Sequence, residues 1–235
     1  MSAETNAPAL DLYARVEDLL GIEEATEQLH ELYTQALQAY DVTAFLDIGC
    51  GRGGMMETAA KKGIESCGID LSPAMVEAAR AKGLDARCEP VCGTTGSYGA
   101  AVAVFDVLNF VHPDELDGFL ECVADLLTPE GLFMFDVNTL HGFVNVAEGT
   151  MSAEDESRFL SVDAVFANNE LHTRFTLFER EEDGCYRKAQ EEVVQHFHAL
   201  KRFKKHPRFK VVEQHGLSLY DREDKTFLVL KKKGA

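Results

Sequence analysis

The sequence has no apolar run of the ~18 residues that a bilayer-spanning helix needs, so no membrane span is expected. It has no Cys-x-x-Cys pair either. Its six cysteines, Cys50, Cys67, Cys88, Cys92, Cys122 and Cys185, are scattered, and Cys88 and Cys92 find no second pair to complete a zinc site. No metal site is therefore expected, and most of these residues should be reduced thiols in or near the core. The start, Met1 to Pro8, is small and polar and lacks the basic and apolar regions of a signal peptide, which gives a cytoplasmic expectation. Positive charge is scarce. Lys plus Arg number 23 against 40 Asp plus Glu, a net charge of −17 that repels polyanions and argues against general nucleic-acid binding. The one exception is a basic run, Lys201, Arg202, Lys204, Lys205, Arg208 and Lys210, with Lys201, Lys204, Lys205 and Arg208 at helical spacing. It reads as a solvated helix face balancing the acidic remainder.

What is present is an alternation of strand and helix patterns. Residues 9–39 read as helical, with a break at Gly21, on the stripe Leu12, Val16, Leu19 and Leu20 and its continuation through Leu29, Leu32 and Leu37. Thr43 to Ile48 is a short buried strand that runs into a glycine cluster and a helix. Ile64 to Ile69 is a second strand. Ser72-Pro73 then supplies an N-cap and a proline at the first helical position. Leu84 to Cys88, Ala100 to Phe105 and Leu132 to Val137 are further strands, the last two separated by an amphipathic helix from Pro113 to Leu127 and the segment Thr128-Pro129-Glu130-Gly131. This rhythm predicts an α/β fold with a parallel sheet and helices on both faces. After Asn138 the pattern changes. Phe159–Phe166, Leu171–Phe178 and Tyr186–Phe197 alternate apolar and polar residues, joined by Asn168-Asn169 and Asp183-Gly184, as in a small antiparallel insertion. Phe209–Glu213 and Thr226–Leu230 return to the main sheet.

The central motif is Phe45-Leu46-Asp47-Ile48-Gly49-Cys50-Gly51-Arg52-Gly53-Gly54, between a strand and a helix. Glycines there let the backbone turn sharply and approach a ligand. Gly49, Gly51 and Gly53 fit GxGxG, whereas Gly49, Gly51 and Gly54 fit the dinucleotide pattern GxGxxG, a weak signal alone. Asp47 sits two residues before the first glycine. A carboxylate there suits a cationic ligand better than a pyrophosphate. The long helical segment before the first strand also departs from a dinucleotide domain. Asp70 ends the second strand, where an acidic side chain holds ribose hydroxyls in either class.

On these residues, segment 40–137 resembles the class I S-adenosylmethionine-dependent methyltransferases. The match is carried by Leu46 to Gly53, by Gly68-Ile69-Asp70-Leu71-Ser72-Pro73-Ala74-Met75 and by Phe105-Asp106-Val107-Leu108-Asn109. Phe133 to Thr139 and the following hairpins look like a bacterial subgroup with a lid inserted after the fifth strand. The resemblance implies a Rossmann-like, doubly wound, mostly parallel seven-stranded sheet with an antiparallel last strand. Residues 1–138 and 207–235 would form the S-adenosylmethionine domain, and 139–206 an antiparallel lid. It further implies that Gly49, Cys50, Gly51 and Gly53 bring the loop close to the cofactor and that Asp47 lies near its methionyl end. Asp70 would hold the ribose, Leu71 and Met75 would pack near the adenine, and Phe105 and Asp106 would border the methionyl moiety. Two positions depart from the family pattern. Cys88-Glu89-Pro90 stands where an acidic residue faces the adenine amino group, leaving Glu89 as its substitute, and Tyr98-Gly99 replaces an aromatic-Asp pair.

Methyl transfer is an in-line displacement in which the protein mainly aligns the nucleophile and excludes water. A general base helps hydroxyl, phenol or protonated amine acceptors. Asn109, Asp136 and Asn138 are candidates by position at strand ends. His196 and His198, two apart on an alternating strand, face the same side and titrate near neutrality. The expected partner is a small-molecule methyl acceptor, with S-adenosylhomocysteine as by-product. A tRNA or protein methyltransferase using the basic run, and a non-catalytic S-adenosylmethionine-binding protein, remain open.

Overall fold

The computed structural model describes residues 7–234. Helices α1 (Ala7–Ala14) and α2 (Glu23–Ala39) precede β1 (Ala44–Ile48). Then α3 (Gly54–Ala60), β2 (Glu65–Asp70), α4 (Pro73–Ala81), β3 (Ala86–Cys88), β4 (Tyr98–Ala103), α5 (Leu116–Leu126) and β5 (Leu127–Asn138) follow. Four strands come next: β6 (Gly149–Glu154), β7 (Arg158–Ala167), β8 (Glu170–Arg180) and β9 (Tyr186–His196). A short α6 (Lys201–Lys205) leads to β10 (Phe209–Leu217) and β11 (Lys225–Lys232).

The main sheet has the order β10-β11-β5-β4-β1-β2-β3. Strands β1 to β5 pair in parallel, while β11 runs antiparallel to both neighbours. This is the seven-stranded Rossmann-like sheet with one reversed strand that the sequence implies. The period-2 alternation of a strand divides the core. Ala101, Ala103, Phe133 and Phe135 face α5, together with Phe203 and Phe209. Phe45, Ala100, Val102 and Met134 face Leu29, Tyr33 and Leu37 of α2. Phe133 lies 4.9 Å from Phe135 and 6.4 Å from Phe209, centroid to centroid, so truncating it to alanine would cost about 3–5 kcal/mol.

The second sheet has the order β6-β7-β8-β9, all antiparallel. Asn168 and Asn169 turn its central hairpin with φ of 55° and 66°, as a two-residue turn of the primed type needs. Ala9 and Leu12 of α1, and Val16 just beyond it, pack on this sheet against Leu160, Phe175 and Val193.

Several local expectations are corrected. Strand β6 was not legible, because Gly149–Glu154 is almost wholly exposed and carries no alternation. A wide helical turn at Gly142–Ala147 lies between β5 and β6. Helix α5 starts at Leu116 rather than Pro113, and β5 begins at Leu127, with Thr128 to Gly131 as an irregularity inside it. Helix α6 covers only Lys201–Lys205, so Arg208 does not share its face. The acidic stripe of α5 accounts for two of the cations. Arg202 lies 3.0 Å from Asp117, and Arg208 lies 2.8 Å from Glu121 and 3.0 Å from Asp125. Finally, Cys92 and Cys122 form a disulfide, although their spacing gave no hint of one. The turn after β3 folds over α5, and this brings residues 30 apart in sequence to a Cα separation of 5.0 Å. The other four cysteines are free thiols.

Candidate active site

Parallel strands of a doubly wound sheet open their carboxyl ends onto a crevice. Here that crevice is a cleft of about 960 Å³ between the strand ends, α1 and one face of the second sheet. Asp47, Gly49, Cys50 and Gly51 line it from the loop after β1, and Asp70, Leu71 and Met75 from the loop after β2. Glu89 lines it after β3, and Phe105 and Asp106 after β4. Gly53 does not line it. Its φ of +81° and a built Cβ only 2.1 Å from Leu84 Cδ1 give it a packing role in the turn. Gly51 differs. With φ +51°, a built Cβ there meets nothing closer than the Met75 sulfur at 4.0 Å, so it would project into open cleft. A ligand can therefore approach this backbone directly.

Asp70 fixes the loop. Its Oδ2 accepts the Gly51 N–H at 2.9 Å and its Oδ1 accepts the Ser72 N–H at 2.8 Å. Each oxygen keeps a free lone pair for a donor in the cleft. Ser72 caps α4, its Oγ accepting the Met75 N–H at 3.3 Å. Asp47 is buried at the cleft floor, and its Oδ2 has no partner among the described residues. Burial, and then the charge of Asp70, pushes its carboxyl up to about 8. An orphaned buried carboxyl beside an open glycine turn fits a ligand that carries positive charge and hydroxyls.

The opposite wall is a buried ionic network. Phe105 and Asp106 both adopt left-handed backbone, with φ of 65° and 68°, at a cost of order 1–2 kcal/mol each. The Asp136 carboxylate holds them there. Its two oxygens accept the Phe105 N–H at 2.8 Å and the Asp106 N–H at 3.1 Å. Tyr33 donates its hydroxyl to Asp136 at 2.7 Å. Burial pushes Asp136 up to about 6, while Lys225, whose Nζ is 3.9 Å away, pulls it back. Lys225 is itself buried. It pairs with Asp106 and donates to Asn138 Oδ1 at 2.9 Å. Sequence reasoning missed this lysine. The only signal was its place before the fully buried run Thr226–Leu230, and the register that sets Lys225 opposite Asn138 is a tertiary fact.

The three predicted catalytic residues lie outside the cleft lining. His198 is buried, its Nε2 within 2.9 Å of the Leu108 carbonyl and 3.1 Å of the Val111 carbonyl, and burial lowers it to about 4. His196 is buried 5.1 Å from His112, ring to ring, and burial lowers it as well. Asn109 bridges the two sheets: its Nδ2 donates to the His196 carbonyl at 2.8 Å and its Oδ1 accepts the Asn138 N–H at 2.9 Å. Asn138 does line the cleft. So does Tyr13 of α1, which packs edge-on against Phe175 at 5.9 Å. Arg52, in the glycine loop, reaches the Ala14 carbonyl and Glu17 at 3.2 Å, tying α1 over the site.

Comparison with known proteins agrees with this geometry. The family described as a methyltransferase domain matches residues 45–131. The chain is 37% identical over 120 residues to a rice 24-methylenesterol C-methyltransferase, covering 47% of this chain and 33% of that protein. It spans between about a third and two thirds of the length of the first curated relatives it matches. A solved S-adenosylmethionine-dependent methyltransferase from Clostridium acetobutylicum superposes with TM-score 0.78 at 17% identity, covering 96% of this chain and all of that one. An amino pentose methyltransferase from Micromonospora echinaspora, solved with S-adenosylmethionine bound, superposes with TM-score 0.73 at 16% identity, covering 94% and 97%. Over residues 45–131 the chain is thus similar to the methyltransferase-domain family, and its fold is that of these solved S-adenosylmethionine-dependent methyltransferases.

Proposed function

We propose that the protein is an enzyme that transfers a methyl group from S-adenosylmethionine to a small-molecule acceptor. The observation that carries this reading is the Gly51–Asp70 turn set beside the unpartnered carboxyl of Asp47. In the proposal Asp70 holds the ribose hydroxyls and Asp47 faces the cationic methionyl end. Leu71 and Met75 pack the adenine, Glu89 reaches toward its amino group, and Phe105 and Asp106 border the methionyl moiety. Bound there, the cofactor supplies a sulfonium methyl that the acceptor's lone pair takes in line as the C–S bond breaks with its electron pair to sulfur. Asp136, Tyr33 and Lys225 keep the Phe105–Asp106 turn in place, and Tyr13 and the second sheet exclude water. Asn109, His196 and His198 are assigned to positioning that sheet, since their polar atoms are engaged or buried away from the cleft. The basic run offers less for a macromolecular acceptor, because Arg202 and Arg208 are already paired with α5.

The test is titration calorimetry with S-adenosylmethionine, S-adenosylhomocysteine and NAD. The first two should bind and the third should not. Asp70→Ala should weaken cofactor binding by about 10- to 100-fold, the worth of hydrogen bonds to a charged group. Unchanged affinity would remove Asp70 from the site, and tight NAD binding would refute the assignment.

A further inference from the structure

The cleft is larger than its glycine-loop end, and its far end is roofed by the second sheet. Antiparallel register brings one face of that sheet over the opening: Met151 opposes Val162, Val162 opposes Phe175, and Thr173 opposes Val193. Each of these lines the cleft, as does Leu171. The face is apolar except for Thr173 and Gln195, whose side chains have no hydrogen-bond partner among the described residues.

Charge completes the picture. Among the described residues the cleft is lined by four side chains that can be cationic: His30, Arg52, Lys82 and Lys225. Three are spoken for: Arg52 by Glu17, Lys82 by Glu57 at 2.7 Å, and Lys225 by Asp106 and Asn138. Burial lowers His30 to about 4, so it is neutral at pH 7. Beyond the cofactor loops, Glu17, Glu115 and Asp224 add carboxylates to the lining. An anionic group on an acceptor, brought against the second sheet away from the backbone N–H groups of the cofactor loops, would lose its hydration and find no free cation.

Resting on the methyltransferase reading, we propose that the acceptor is a predominantly apolar small molecule without a phosphate or carboxylate. Its hydrocarbon part lies against Val162, Leu171, Phe175 and Val193, and its single polar head is oriented by Thr173 and Gln195. Phosphorylated acceptors, nucleotide-linked sugars included, are excluded on charge.

The experiment uses the full chain loaded with S-adenosylhomocysteine and three probes that share one skeleton: 4-hexylphenol, 4-hexylbenzoate and 4-hexylphenyl phosphate. The phenol should bind, and both anions should bind at least about tenfold more weakly. Shortening the chain by two methylenes to 4-butylphenol should weaken binding by about fifteenfold, since each buried methylene is worth roughly fourfold. Met151→Asp, at an exposed edge of the roof, should weaken the phenol several-fold and leave S-adenosylhomocysteine binding intact. Gln195→Leu should lose affinity for 4-hexylphenol but keep the chain-length dependence. A phosphate ester that binds as well as the phenol, or a missing chain-length dependence, overturns the proposal while the methyltransferase reading stands. Failure to bind S-adenosylhomocysteine at all overturns that reading and this proposal with it.

Discussion

Removing the charge at Asp47 should make the ligand-free protein more stable at alkaline pH while damaging cofactor binding. The carboxyl is fully buried, one oxygen is unpartnered, and its pKa stands at about 8 against an ordinary 3.8. Between those values the folded chain holds a proton that the unfolded chain has released. Stability from this group is therefore complete below about pH 4 and is lost as pH rises toward 8, with a slope of up to about 1.4 kcal/mol per pH unit. From pH 6 to pH 8 the loss comes to about 2 kcal/mol, because the slope falls off near the folded pKa. Asp47→Asn cannot titrate. Urea denaturation of both proteins at pH 6, 7 and 8 isolates the effect, since other groups such as Asp136 and the histidines cancel in the difference. The variant should gain about 2 kcal/mol on the wild type across that span. A cation arriving beside Asp47 would also expel its proton. Calorimetry at pH 7 in buffers of different ionisation enthalpy should then show release of about 0.9 proton per S-adenosylmethionine bound, and almost none for the variant. Parallel stability profiles for the two proteins would refute the reasoning.

Three further outcomes follow from the same geometry. Lys225→Met leaves Asp106 and Asp136 facing each other without their shared cation, and should cost about 3–5 kcal/mol in denaturant unfolding. Restored stability in Lys225→Met combined with Asp106→Asn would identify the charge rather than the volume as the cause. Cys122→Ser opens the 30-residue span to Cys92 and should lower stability by about 3–4 kcal/mol, with no further loss when reductant is added. Asn109→Ala strands a buried N–H of Asn138 and the carbonyl of His196, and should destabilise by about 2–4 kcal/mol. If turnover fell while stability held, Asn109 would be reacting with substrate rather than joining the sheets.

The parts of this molecule that could be read from its sequence are those whose causes are local. Alternation specifies the hairpins of the second sheet, Ser72-Pro73 announces α4, and continuous apolar runs mark β4 and β5 as buried on both faces. Asp47 and Asp70 were found because each lies at a strand end beside glycines, a position set by neighbours in the chain. The errors have one character. His196 and His198 share a face of β9, but whether that face meets a cleft or a wall depends on Leu108 and Val111, about 90 residues away. Lys225, Asp136 and Tyr33 come from β11, β5 and α2, and no spacing rule joins them. The disulfide is of the same kind. A sequence shows directly what the backbone does locally, whereas partners for buried polar groups are supplied by distant segments.

That difference bears on how the site is held. A glycine turn or an Asn-Asn hairpin bends by itself, but a phenylalanine in the left-handed region does not. Phe105 and Asp106 stay in that conformation because one carboxylate takes both of their N–H groups, and that carboxylate can remain in the core only because a tyrosine and a lysine attend it. One side of the cleft is thus shaped by local conformational preference. The other is shaped by a charge network reaching through α2, β5 and β11. Binding of the cofactor's adenosine should follow substitutions in the first, and the aim of its methionyl end, and so of the methyl group, should follow substitutions in the second. Conservative changes at Tyr33 or Lys225 should therefore lower kcat more than they raise the KM for S-adenosylmethionine, whereas changes at Asp70 should do the reverse.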